Sequence, residues 1–317
     1  MRESTSRKSL KTPSVTVAVA SAGRPSILRD CLAAIAAQSS SPDETIVVAQ
    51  TTDKETQTVA EDFGVRLVLV QKPGLALAIQ AAIEAACSDV VAFVDDDAQA
   101  FPDWVKRIRG TYAGNDDLGF VGGRDNVNAD RNSGSENLVV GLLVRGRIIG
   151  NHHLGKGSAR PAQIAKGANM SVRRAPAKNL DLARLVAGEG AQANNELLLT
   201  FGILSQGYRG LYDPSIQVDH FPASRPVGDE RLTYDRHRTR IMKLNESAAV
   251  ALNFSRHEIA IYVLRSVLIG SRINCGFAAL VFLLLRGDKL AFDRFAGSMS
   301  GLSAGLRFAR QEKTVKR

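Results

Sequence analysis

Three consecutive aspartates, Asp95-Asp96-Asp97, directly follow the apolar run VVAFV (Val90–Val94). Neighbouring like charges repel, and aspartate is a poor strand former, so the triplet calls for an offsetting partner. On an extended segment alternate side chains share a side. Asp95 and Asp97 then face one way and Asp96 the other. Two carboxylates on one side can anchor a hard cation and leave positions for phosphate oxygens, the habit of Mg²⁺ and Mn²⁺. The alternative is a helix-capping cluster, because aspartate caps well and Pro102-Asp103 opens a helix nearby. The five residues between the triplet and that helix favour the cation.

Other polar residues stand where an ordered site is expected. Lys72 of Lys72-Pro73-Gly74 can face a phosphate, or the segment can be a plain turn in which Gly74 supplies backbone freedom. His152 and His153 lie in the segment Asn151–Gly167, long enough to act as a lid, and are expected to meet solvent or acceptor. Trp104, the one tryptophan, packs in the core or lines an acceptor cleft.

The elements that position these residues alternate. VTVAVA (Val15–Ala20) reads as a strand, and Ile27, Leu28, Cys31, Leu32 and Ile35 then repeat at helical spacing behind Pro25. TIVVAQ (Thr45–Gln50), RLVLVQ (Arg66–Gln71) and VVAFV are further strands, separated by helices over Asp53–Phe63 and Leu75–Cys87. Continuous apolar strands alternating with helices predict an α/β fold with a mostly parallel central sheet covered on both faces. Ligands in such sheets sit beyond the carboxyl ends of the strands, where the aspartate triplet falls. Beyond Gly122-Gly123 the pattern loosens. Leu138–Ile149 reads as one long strand, Ala168–Arg174 as a strand, Asn194–Gln206 as a helix and YRGLYDPSIQVDHF as an extended pair.

The bulk numbers limit the function classes. A chain of 317 residues, 44% hydrophobic and 23% charged, is globular and long enough for one α/β domain with a C-terminal addition. Cys31, Cys87 and Cys275 are too scattered for a disulfide framework or a zinc site, which fits a reducing compartment. The net charge of +9 resides in residues 221–317, with 17 Lys and Arg against 8 Asp and Glu; the preceding part is balanced. A basic third predicts an anionic partner. Low aromatic content and the lack of a nucleic-acid-binding signature argue against nucleic acid. Residues 1–14 are polar and basic with no apolar stretch behind them, which argues against a signal peptide.

The segments ASAGRPSILRDCLAAIAAQS, QKPGLALAIQAAIEAA, VVAFVDDDAQAFPDW, KGANMSVRR and NNELLLTFGILSQGYRGLYDPSIQVDHFP, in this order, resemble the family 2 glycosyltransferases over roughly residues 15–222. The resemblance implies a GT-A fold and inverting transfer from a nucleotide-diphosphate sugar to a hydroxyl. It implies Asp95, Asp97 and His220 as metal ligands for Mg²⁺ or Mn²⁺. Ala22, Arg24, Asp53, Lys72, Asp95 and Asp96 would line the nucleotide sugar. Glu196 matches the acidic position of the later motif and becomes the candidate base, with Glu189 in reserve. Asn194 and Asn195 depart from the acidic pair of many relatives, and Gln50-Thr51-Thr52-Asp53 departs from the usual acid closing the second strand.

The C-terminal part alternates apolar stretches with cations, among them Arg256, Arg265, Arg272, Arg286, Lys289 and Arg294. Basic helices with an apolar side lie in membrane interfaces; an oligomer contact or a packed helical subdomain is the alternative. Ile273–Leu285 is 13 residues without charge, short of the roughly 20 a span needs. The expected organisation is a disordered tail (1–14), a GT-A catalytic domain (15–225) and a basic, apolar helical region (226–317). The expected location is cytoplasmic, against the inner face of the membrane, beside a glycan or lipid-linked acceptor. A sugar-nucleotide nucleotidyltransferase and an inactive membrane-docking relative are the competing readings; Ala22-Gly23-Arg24-Pro25 is too poor in glycine for the former's phosphate loop.

Overall fold

The computed structural model describes residues 12–222, 234–271 and 273–315. Nearly all of the expected N-terminal tail and the expected 225/226 boundary lie outside the described residues.

β1 (Val15–Ala20), α1 (Pro25–Ala36), β2 (Glu44–Gln50), α2 (Lys54–Asp62), β3 (Arg66–Val70), α3 (Leu75–Ala85) and β4 (Val90–Val94) follow the expected alternation. Pro25 opens α1, and Leu28, Cys31, Leu32 and Ile35 form its buried stripe. Every residue of β4 is buried, as a central strand covered on both faces requires. Then come β5 (Ala98–Ala100), α4 (Trp104–Tyr112), β6 (Leu118–Val127), β7 (Leu142–Val144), β8 (Arg147–Ile149), β9 (Arg160–Ala162), β10 (Asn169–Arg173), α5 (Arg174–Lys178), α6 (Leu182–Leu185), α7 (Asn195–Leu204) and β11 (Arg209–His220).

The main sheet runs β3-β2-β1-β4-β10-β6-β11-β5, with β9 also paired to β11. β1 to β4 are mutually parallel, β10 is antiparallel to β4 and β6, and β6 is parallel to β11. The sheet is therefore the expected mostly parallel one, with β10, β5 and β9 reversed. One edge collects the carboxyl ends of β1–β4, β6 and β11 and the start of β10.

Three expectations change. The extended pair at 208–221 is one strand, β11, whose register with β6 shifts between Asp213 and Gln217. Pro214 lies in that shift; lacking an N–H, proline sits at such irregularities. Residues 138–149 form the two-stranded hairpin β7–β8 instead of one strand. The presumed lid is pinned down, because β9 within it pairs with β11.

Asn169 joins the pieces across the register shift. Its Nδ2 donates to the Arg124 and Ile216 carbonyls (both 2.9 Å), and its Oδ1 accepts from the Trp104 indole (2.8 Å). Trp104 is thus a core residue, wholly buried.

α8 (Arg236–Asn253), α9 (Arg256–Leu268), α10 (Phe277–Leu285) and α11 (Ala291–Val315) complete the described chain. α8 and α11 approach closely because glycine faces the contact: a Cβ on Gly301 would lie 2.4 Å from the Arg240 carbonyl, and one on Gly305 2.2 Å from Ser247 Oγ. Ser255 and Glu258 form a capping box at the start of α9.

Asn169→Ala removes a buried hydrogen-bond partner from two carbonyls and an indole N–H. Each such group costs about 1–3 kcal/mol, so chemical denaturation should show a loss of at least about 3 kcal/mol.

Candidate active site

The edge that gathers the strand ends also gathers charge. Asp95 directly follows β4, Asp125 lies near the end of β6, His220 ends β11, and Lys166 precedes β10. The antiparallel pairing of β5 with β11 sets His220 opposite Ala98 and so beside Asp97. The Phe221 N–H donates to the Asp97 carbonyl (2.8 Å) and the Ala98 N–H to the Asp95 carbonyl (3.0 Å), which fixes the turn.

The triplet lies in the turn between β4 and β5, and its side chains divide there. Asp96 is buried, accepts from Ser21 Oγ (2.7 Å) and pairs with Arg24 (2.5 Å). Burial raises its pKa to about 6, against the lowering effect of Arg24 and Ser21. Arg24 also reaches Asp97 at 3.4 Å. On the other side, ligand atoms of Asp95, Asp97 and His220 lie within 4.8 Å of one another. Burial and the charge of Asp97 raise the Asp95 pKa. His220 Nε2 stands 3.3 Å from Asp97 and Nδ1 3.5 Å from Asp125. Burial alone would lower the His220 pKa, but the flanking Asp125 and Asp97 outweigh it and push it up to about 9.

This donor set fits a hard divalent cation. Two carboxylates and an imidazole converge, and nearby the buried Asp125 Oδ1 and His220 Nδ1 make no hydrogen bond. The capping alternative fails, since Asp103 occupies the N-cap of α4 and no aspartate of the triplet caps a helix.

Glu196 sits in the first turn of α7, half-buried. Burial raises its pKa, its own backbone N–H opposes this, and the charges of Asp95 (raising) and Lys166 (lowering) both act on it. Glu196 therefore belongs to the same electrostatic cluster. The two asparagines in place of acids serve the loop: Asn194, at φ 68°, donates to the Met242 carbonyl (3.0 Å), and Asn195 to the Gln192 carbonyl (3.0 Å). Asn245 of α8 accepts from the Ala187 N–H and donates to the Ala187 and Ala193 carbonyls. Gln192 ties the same loop to α3, its Oε1 accepting from the Ala76 N–H at 2.8 Å. Gly74 keeps that oxygen close, since a Cβ there would lie 3.0 Å from it; its φ is an ordinary extended one, so no unusual turn is involved. Glu189 is exposed between Gly188 and Gly190.

Of the remaining residues, Asp53 caps α2 through Thr56 and accepts from the Gly23 N–H (2.6 Å), tying the β1–α1 and β2–α2 turns together. Ala22 and Lys72 are exposed on those loops and the next. His152 corrects an expectation: it is 3% exposed, its Nε2 lies 3.0 Å from the Ile164 carbonyl, and its ring packs edge-on against Tyr212. The Tyr212 hydroxyl donates to the His152 and Gly155 carbonyls, closing that corner of the core. His153 is exposed. Two residues escaped sequence reasoning: Asp125, fully buried, and its ion-pair partner Lys166. Their signals were a charge ending a glycine-rich apolar strand and a lysine just before the next strand.

Residues 16–180 match the model of the family described as Glycosyl transferase family 2. A glucosyl-dolichyl phosphate glucuronosyltransferase of Haloferax volcanii is 32% identical over 115 residues, 35% of this chain and only 37% of that protein's length. Among solved structures, GalNAc-T7 with UDP, GalNAc and Mn²⁺ aligns with a TM-score of 0.55 at 12% identity, covering 89% of this chain and 58% of that one. The Pyrobaculum calidifontis mannosyltransferase with GDP-Man and Mn²⁺ aligns at 0.49 and 15% identity, covering 96% and 88%.

Gln192→Ala removes the acceptor that caps α3. A lost cap costs about 1 kcal/mol, and amide exchange at Ala76 should accelerate selectively.

Proposed function

The chain belongs to glycosyl transferase family 2, and on that premise we propose that it moves a sugar, with inversion, from a nucleotide-diphosphate sugar to a hydroxyl of a lipid-linked acceptor. That it is a glycosyltransferase follows from the family; the donor, acceptor, metal and residue roles are the proposal. The observation that carries it is the convergence of Asp95, Asp97 and His220 at the edge where the strands end, with Glu196 in the same electrostatic field.

Asp95, Asp97 and His220 would hold Mg²⁺ or Mn²⁺, and that cation would neutralise charge growing on the departing nucleoside diphosphate. The protein's own residues do the rest. Arg24, fixed by Asp96, presents its guanidinium where the phosphates would lie. Asp53 holds the Gly23 turn in shape, and Ala22, Lys72 and Asp95 line the path of the nucleotide. A sugar hydroxyl is a poor nucleophile, so a carboxylate within hydrogen-bond reach must take its proton as the new bond forms. Glu196 suits that task, because burial raises its proton affinity toward the working pH. Lys166, paired with Asp125, adds positive charge to the same side.

The relative's acceptor, a glucosyl-dolichyl phosphate by name, motivates the lipid-linked acceptor here. Among the described residues no helix is long and apolar enough to cross a membrane. Yet Leu264, Leu268, Ile273, Phe277, Leu285 and Phe292 are exposed, Leu285 at 84%. An apolar patch set among cations favours seating on the inner face of an anionic membrane.

A thermal-shift screen of UDP-, GDP- and dTDP-sugars with Mn²⁺ should single out one donor, since ligands of the native state raise its stability. Asp97→Ala should abolish both the metal-dependent shift and turnover. Glu196→Gln should bind donor normally and lose about 10²–10⁴ in kcat; full turnover in that variant excludes Glu196 as base. Because the Glu196 pKa is raised and the ionised form is the base, the wild-type rate should fall with decreasing pH, with a midpoint above the ordinary carboxylate range. Glu196→Gln should remove that limb of the profile.

A further inference from the structure

A polar cavity lies away from the aspartate triplet, none of whose residues line it. It encloses about 460 Å³ between the turn of β7–β8 and helices α8 and α9, and Arg147, Lys243, Glu246, Arg265, Ser271 and Asn274 line it. Its floor is an internally satisfied pair. Lys243, 3% exposed, donates to Glu246 (2.7 Å) and Ser266 (3.0 Å) and stands over the Tyr262 ring. The Glu246 carboxylate also accepts from the Tyr262 hydroxyl (2.8 Å) and from Asn274 Nδ2 (2.7 Å).

With that pair neutral, Arg147 and Arg265 leave the cavity with two positive charges, and among the described residues neither has a carboxylate partner. The Asn274 Oδ1 is buried and accepts no hydrogen bond. Two unpaired guanidinium groups beside a waiting acceptor match a phosphate ester that carries a hydroxyl. The cavity residues also alternate along the chain with exposed apolar ones. Leu264 precedes Arg265, Ile269 precedes Gly270, and Ile273, 61% exposed, precedes Asn274. A phosphate bound here would have hydrocarbon-compatible surface at its side.

We propose that this cavity receives the phosphate headgroup of an anionic membrane lipid, with Arg147 and Arg265 on the phosphate and Asn274 on a headgroup hydroxyl. The inference rests on the reading that the C-terminal helices meet a membrane, and adds to it a defined site with headgroup preference.

Flotation of the full chain with vesicles tests both separately. The wild type should bind phosphatidylcholine vesicles weakly and vesicles containing phosphatidylglycerol about ten-fold more tightly. Arg147→Gln with Arg265→Gln should lose that preference and keep the weak binding. Arg256→Gln with Arg286→Gln removes equal charge from exposed positions outside the cavity and should keep most of the preference. Phe277→Ser with Leu285→Ser should weaken binding to both vesicle types. Equal loss in the two arginine double variants would make the effect diffuse charge and overturn the site. So would wild-type binding that ignores phosphatidylglycerol, which leaves the membrane reading standing. Displacement by millimolar inorganic phosphate would assign the cavity to a soluble phosphate instead of a lipid. No binding to any vesicle sinks the membrane reading and this proposal together.

Discussion

Crowding of negative charge at the end of a buried strand is the constraint that organises the active edge. Two like charges 4 Å apart repel by about 4 kcal/mol at an effective dielectric of 20, and three carboxylates follow one another here. A single exposed ion pair, worth at most about 1 kcal/mol, does not offset that. The protein instead draws compensating groups from distant segments: Ser21 and Arg24 after β1 on one side, His220 from β11 on the other. Asp125 would worsen the crowding, but Lys166 pairs with it. Even so the cluster keeps a raised Asp95 and a raised Asp96. Burial is the larger cause in both, and the neighbouring carboxylates add to it.

The sheet order explains why such distant residues can meet. With β10 reversed between β4 and β6, the beginning of one strand and the ends of its two neighbours share an edge. Lys166, Asp95 and Asp125 thereby become neighbours although they are far apart along the chain. The Asn169 bonds hold this arrangement where β11 slips its register.

Much of this was readable beforehand. Continuous apolar runs separated by helical periodicity marked β1 to β4, and Asp95 and Asp97 do share a side apart from Asp96, although a turn and not an extended segment parts them. The failures share one cause: they turn on strand partners, which periodicity does not specify. The segment YRGLYDPSIQVDHF read as an extended pair, yet β6 carries one ladder past Pro214 through a register shift. His152 stood in a polar, glycine-containing stretch that looked like a loose lid, but β9 anchors that stretch and the ring is buried on Tyr212. Asp125 and Lys166 were overlooked because a charge at a strand end usually faces water, and only the neighbouring strands bury Asp125 and set the half-exposed Lys166 against it.

The Asn245 bonds make α8 a gauge for the helix that bears Glu196. A helix advances about 1.5 Å per residue, so sliding α8 by one position would part Asn245 from Ala187 and Ala193, and Met242 from Asn194. The loop that leads into the Glu196 helix is thus held by a helix outside the sheet. Grafting the sheet and its loops alone onto another scaffold would transfer the aspartates but leave the Glu196 helix without its ruler.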